Sequence, residues 1–293
     1  MKKLLSILLV LTLLLSGCAA PEEHSDIAAT TLPVWEFTSR LCEGTDLTVT
    51  RLVTESVSCL HDYSLNVRQV KAAEAADLIV ISGAGLEEFM HDLLHDKDVI
   101  DASVGIEILE CSEHHDHDHG HDHEGHHHET DSHIWLSPEN AAAMARNICV
   151  GLCSRYGAYV ETFESNLSVL LAEIDAVQAY GEAALAELGS REIITFHDGF
   201  GYLAESFDLH ILKAIEEESG AEASAAELKE IILMVEDHQI KAIFTEINGS
   251  VSAADIISAE TGATCRSLDM AMAGDSWFEA MYHNIDNLKE ALE

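Results

Sequence analysis

Basic residues are scarce in this chain. Only 15 Lys and Arg stand against 53 Asp and Glu, for a formal net charge of −38. So acidic a chain repels nucleic-acid phosphates and anionic lipid headgroups, and it attracts cations. Long apolar runs are scarce too. Beyond the first 15 residues, no stretch reaches the roughly 20 apolar residues needed to span a bilayer. The seven cysteines form no Cys-x-x-Cys pair and no zinc-ribbon spacing. What the chain does have is 47% hydrophobic residues, enough for a cored protein rather than a disordered one.

The N-terminus reads Met1-Lys2-Lys3, followed by an apolar run that ends in Leu15-Ser16-Gly17-Cys18. A positive start and an apolar stretch of about a dozen residues fit a secretory signal. The small residues before Cys18 resemble a bacterial lipobox. That resemblance implies cleavage after residue 17 and a lipid on the Cys18 thiol; an ordinary cleaved signal is the plainer alternative. Residues 18–30 read as a lipid-anchored tether. The remaining residues suffice for two lobes or one large domain.

Strand-like and helix-like patterns alternate after the tether. Residues 47–53, 78–82, 193–196, 211–215, 242–247 and 264–268 read as strands, and 106–109 as a weaker one. Helical patterns cover 65–76, 86–95, 138–153, 224–238, 252–262 and 277–292. The third opens with Ser137-Pro138-Glu139, an N-cap followed by Pro at the first helical position. Such alternation predicts an α/β fold with mainly parallel sheets. Residues 158–188 carry Phe163, Leu167, Leu170, Leu171, Ile174 and Val177 at helical spacing, with Gly181 the single glycine. One rigid helix of roughly 45 Å at 1.5 Å per residue would join two lobes; two shorter helices broken near Gly181 are the alternative. The expected division is a signal at 1–17, an N-terminal lobe at 31–157, a linking helix at 158–189 and a C-terminal lobe at 190–293.

Residues 111–131 break the pattern. They hold His114, His115, His117, His119, His121, His123, His126, His127 and His128 among Asp, Glu and Gly. With no apolar period the segment reads as a loop within the first lobe. Imidazoles so dense, with carboxylates as helpers, suit Zn²⁺, Cu²⁺ or Ni²⁺. Each capture must overcome the ordering entropy of the loop, so weak, multi-site gathering of metal is expected.

A tight site needs ligands on rigid elements. Three histidines lie at the ends of expected elements. His61 stands in Leu60-His61-Asp62-Tyr63, His133 in Asp131-Ser132-His133-Ile134-Trp135, and His197 in Thr195-Phe196-His197-Asp198-Gly199. Ligands of open α/β sheets bind at the carboxyl ends of strands, so loops from both halves could meet in a cleft. Taken singly, each His reads equally as a cap or a hydrogen-bonded surface residue.

These three segments together resemble the metal-binding lipoproteins of bacterial ABC transporters for zinc and manganese, the ZnuA-like family. Further matches are Ala76-Asp77-Leu78-Ile79-Val80, Gly83-Ala84-Gly85-Leu86-Glu87, Ile243-Phe244-Thr245-Glu246 and His283-Asn284-Ile285-Asp286. Their order agrees over about residues 30–292, and the His-rich insertion stands just before the second ligand motif, as in zinc-type members. The resemblance implies two lobes, each a mainly parallel sheet flanked by helices, joined by one long backbone helix. It implies a metal held between the lobes by His61, His133 and His197. Its fourth ligand matches Asp269 best, although Met270 replaces the usual following Pro, which leaves Asp275 or a water as alternatives. Cys59 could reach the site or simply pack as a thiol. Asp62 and Asp198 could orient imidazoles or be solvated acids.

Three imidazoles with a carboxylate or water suit tetrahedral Zn²⁺, whereas manganese prefers more oxygen. By resemblance, the chain is an extracytoplasmic zinc-capturing component of an ABC importer. Its partners would be a permease and its ATPase, and the membrane through the lipid. A monomer is expected, and no nucleic acid. Two other readings remain open at this point. One is a zinc-buffering or adhesin-like surface lipoprotein without a transporter. The other is a zinc hydrolase, against which no HExxH helix and no suitably spaced general base are found.

Overall fold

A computed structural model of the chain describes residues 25–55, 60, 63–110, 130–216, 223–247, 249 and 251–293. Cys18, Cys59, His61, Asp62 and the nine histidines at 114–128 lie outside the described residues. The expected α/β fold with two parallel sheets is observed. Strands β1 (Ile27–Ala29), β2 (Val49–Arg51), β3 (Leu78–Ile81) and β4 (Val99–Asp101) form the first sheet in the order β2-β1-β3-β4. Strands β5 (Glu192–His197), β6 (His210–Glu216), β7 (Ala242–Glu246) and β8 (Thr264–Leu268) form the second in the order β6-β5-β7-β8. Every pairing in both sheets is parallel.

Nine α-helices among the described residues flank the sheets. They are α1 (Leu32–Leu41), α2 (Val67–Ala75), α3 (His91–Leu94), α4 (Pro138–Arg155), α5 (Val160–Ala184), α6 (Gly201–Ser206), α7 (Ala225–His238), α8 (Ser252–Thr261) and α9 (Trp277–Leu292). None is long and apolar enough to cross a membrane. Several starts are written in local sequence. Asn66 with Gln69, and Ser224 with Glu227, close capping boxes, and Ser137 caps α4 ahead of Pro138.

Strand alternation builds the layers. Ala28 and Ile79 face one outer core with Ala73 and Met90, while Ile194, Phe196 and Ile243 face another with Ile231, Val235 and Ile257. The opposite strand faces meet in a single inner core. It contains Ile27, Ala29, Leu78 and Val80 of the first sheet and Ile193, Ala242 and Phe244 of the second. Phe163, Leu170, Ile174 and Val177 of α5 run through it, so the linking helix is part of the core that both lobes share.

Helix α5 is unbroken over 25 residues. At 1.5 Å per residue it is roughly 37 Å long, shorter than the 158–188 span suggested. A three-residue 3₁₀ turn, Gly157–Tyr159, occupies its expected first residues. Gly181 does not break it. A Cβ there would stand 2.2 Å from Cε1 of Phe207, so the missing side chain makes room for that ring.

Other expectations need correction. The tether ends before residue 30, because β1 lies at 27–29 with all three residues fully buried between β2 and β3. A run of Ile-Ala-Ala is too short to announce a strand, and its two neighbours make it one. Residues 106–109 are not a strand. The edge of that sheet is β4 instead, while Leu109 N–H donates to the Tyr202 hydroxyl at 2.9 Å. The pattern at 86–95 resolves into a 3₁₀ turn, Glu88–Met90, and the single-turn α3. Cys149 and Cys153, by contrast, are free thiols, as their four-residue helical spacing suggests, with Sγ atoms 4.0 Å apart, and burial pushes the Cys149 thiol up to about 12.

Candidate metal centre

The two lobes are knitted together along one seam. Trp135 Nε1 donates to the Met270 carbonyl at 2.7 Å, and Trp277 Nε1 donates to the Trp135 carbonyl at 2.8 Å. Arg51 of β2 donates to the carbonyls of Met272 at 2.6 Å and Gly274 at 2.8 Å. Glu36 of α1 accepts the Trp277 backbone N–H at 2.6 Å and the Ser276 hydroxyl at 3.0 Å. These bonds fasten the segment after β8 to the first lobe.

His133 enters this seam from the first lobe. A 3₁₀ turn, Ile134–Leu136, follows it directly, and the three side chains of that turn are fully buried anchors. The His133 ring is itself buried, and Asp131 lies behind it. Asp131 Oδ1 accepts both the His133 backbone N–H at 2.8 Å and ring Nδ1 at 2.7 Å. A carboxylate only accepts, so Nδ1 is the ring nitrogen that carries the proton.

His197 enters from the second lobe as the last residue of β5, and it is equally buried. Its ring meets that of His133 edge-to-face, with centroids 5.2 Å apart and planes at 89°. Its Nδ1 stands 3.5 Å from Glu246 Oε1, at the end of β7.

Gly199 explains much of the motif that follows His197. A Cβ at this position would lie 2.7 Å from His197 Cδ2, 2.9 Å from His133 Cε1 and 2.8 Å from Met270 Cε. Carbons of both imidazole rings thus come close to the Gly199 backbone. Gly201 is also close-set, since its Cβ would lie 3.1 Å from Asp131 Oδ2. The Tyr202 hydroxyl donates to the Asp131 carbonyl at 3.0 Å, and Phe200 is buried. The whole Gly-Phe-Gly-Tyr turn thus presses the second lobe against the residue that orients His133.

The candidates from sequence fare differently. His133 and His197 come together across the lobes. Asp269 is half-buried just after β8. Its Oδ1 accepts the Ala271 N–H at 2.8 Å, and Asn284 holds its backbone N–H and carbonyl at 2.7 and 2.8 Å. Burial raises its pKa, opposed by the Ala271 bond and His283. Asp275 is exposed; burial lowers the Arg51 pKa, and the Asp275 charge opposes that shift. Among the described residues, no three His, Cys, Asp or Glu side chains are grouped closely enough to hold a metal ion. A centre on His133 and His197 therefore draws on a residue outside that set, and His61 is the candidate from sequence.

Two acids beside these rings are not assigned a role by the sequence reading. Asp131 and Glu246 were visible only as members of motifs. The available signal was an acid two residues before a candidate ligand, and an acid closing an apolar strand.

Comparison with known proteins matches residues 27–291 to the ZnuA family, described as zinc-uptake complex component A, periplasmic. The zinc-binding lipoprotein AdcA of Streptococcus pneumoniae is 29% identical, with 100% of this chain and 62% of that protein covered. The chain thus spans less than two thirds of the length of that relative. The high-affinity zinc uptake system protein ZnuA of Bacillus subtilis is 28% identical, over 91% of this chain and 87% of that one. Among solved structures, the Zn(II)-bound ZnuA-like domain of Streptococcus pneumoniae AdcA superposes with a TM-score of 0.76 at 26% identity. That match covers 92% of this chain and 98% of the domain.

Proposed function

The chain belongs to the ZnuA family of zinc-uptake components, and on that premise we propose that it captures Zn²⁺ outside the cytoplasm and delivers it to an ABC permease. The ion is held between the lobes by His61, His133 and His197; Asp269 is the fourth ligand that the resemblance implies, although it forms no metal-sized group with His133 and His197 in this structure. The observation that carries this reading is the pair of buried imidazoles, one from each lobe, whose rings meet edge-to-face 5.2 Å apart beside Gly199. Asp131 leaves the His133 nitrogen ready to bind a cation. Nitrogen-rich, four-coordinate chemistry is that of zinc rather than manganese. The name and bound metal of the AdcA relatives agree.

The remaining parts follow from the sequence. A lipid on Cys18 keeps the monomeric protein at the membrane near its permease. The histidines at 114–128 raise the local zinc concentration and pass the ion to the tighter site. The cleft binds the metal as cargo and performs no chemistry on it.

Metal analysis and competition titration of the protein lacking residues 1–18 test this proposal, with and without residues 113–129. One tight zinc per chain should survive the loop deletion. Replacing His61, His133 or His197 by Ala should remove it. Loss of all tight binding on deleting the loop would overturn the division of labour. Normal growth of a deletion strain under zinc limitation would argue for a buffer instead of an importer component.

A further inference from the structure

We propose that Glu246 is the positioning residue for His197, as Asp131 is for His133. The proposal rests on the reading that His197 binds the metal, and it adds a residue to which no role has been given. The register of the second sheet makes the case. β5 and β7 are neighbouring parallel strands, with Ile194 opposite Ile243 and Thr195 opposite Phe244. Two residues further on, His197 and Glu246 come level as the last residues of their strands. Alternation points both to the face occupied by Ile193, Ala242 and Phe244, which is the face of the inner core.

The geometry agrees with the register. Glu246 Oε1 stands 3.5 Å from His197 Nδ1, and both side chains are almost fully buried, at 6% and 4% exposure. A buried carboxylate is costly unless polar groups or a charge compensate it. Here it ends β7, beside the Nδ1 nitrogen of His197. Each lobe therefore backs its imidazole with a buried acid on the Nδ1 side. Such a carboxylate holds the tautomer, fixes the ring orientation and makes Nε2 a better donor to the metal.

A double-mutant cycle read by zinc competition tests the proposal. Glu246→Gln should lower zinc affinity 10- to 100-fold in the wild-type background, and should cost little more once His197→Ala is present. The visible spectrum of bound Co²⁺ should shift in Glu246→Gln and be insensitive to that change in the His197→Ala background. Equal losses in both backgrounds would overturn the proposal, since Glu246 would then act without His197. So would an unchanged affinity in Glu246→Gln. If His197→Ala itself leaves zinc binding intact, the metal-site reading fails first, and the two failures are told apart. A measurement on the wild type avoids any folding defect of the variant. ¹⁵N imidazole spectra of the zinc-loaded protein should show His197 protonated at Nδ1, and a proton at Nε2 would refute the proposal.

Discussion

Asp131 Oδ1 receives two hydrogen bonds from one residue, the backbone N–H and the ring Nδ1 of His133. One carboxylate oxygen thus sets where the histidine stands and which of its nitrogens can bind a cation. Removing the charge should weaken the metal site without moving the chain. We expect Asp131→Asn to lower zinc affinity about 10- to 100-fold while the metal-free melting temperature changes little. An unaltered zinc affinity would remove Asp131 from the account.

Gly199 makes a sharper claim, because its neighbours are the two histidine rings. A methyl group there would lie within 2.9 Å of both rings. Gly199→Ala should therefore displace at least one imidazole. Overpacking of this kind costs about 1–3 kcal/mol of stability, and zinc affinity should fall more steeply than stability. Competition titration and thermal melts of the same sample compare the two effects. A variant that binds zinc normally would show that the rings do not converge there.

Glu87 should give the protein a pH-dependent stability unrelated to the metal. It is buried at the ends of β1 and β3, where it accepts from Thr30 Oγ1 at 2.6 Å, Ser82 N at 2.8 Å and Gly83 N at 3.0 Å. Burial raises its pKa to about 7, against the pull of those three bonds. A raised acid favours the fold fully below its unfolded pKa, and the contribution is lost as pH rises through the folded value. Stability due to Glu87 should thus fall between about pH 4.5 and pH 7, by an amount on the order of 3 kcal/mol. Glu87→Gln should flatten that slope, although it exchanges the acceptor facing Gly83 N–H for a donor and lowers stability throughout. Urea melts from pH 5 to pH 8 read the difference in slope between the two proteins. Parallel curves would refute the assignment.

Gly181 sets two effects against each other. Ala in place of Gly within a helix gains about 1 kcal/mol. The same Cβ would stand 2.2 Å from the Phe207 ring, which is buried in the inner core. Strain of about 1–3 kcal/mol should win, so Gly181→Ala should lower the melting temperature. Gly181→Ala combined with Phe207→Leu should recover part of the loss. A stabilised single variant would mean that the linking helix can shift freely against Phe207.

Periodicity alone made most of the second lobe legible. The strands ending at His197 and Glu246 are largely apolar runs, and the last helix is expected at 277–292, where α9 stands. The first lobe was harder to read. Its strands are three or four residues long, and β1 is a strand only because β2 and β3 flank it. Helix α1, which follows β1 directly, was missed for the same reason. Its neighbours in the chain gave no frame.

The chain by itself determined that imidazole would be the chemistry of this protein, because His61, His133, His197 and the run at 114–128 are matters of residue identity and local motif. Only the tertiary structure decided that residues 133 and 197, 64 positions apart, bring their rings together. It also decided that Asp131 and Glu246 stand behind them. The physical reason is that proximity across two lobes arises from sheet register and from a core shared through one long helix. No local window of the sequence encodes either.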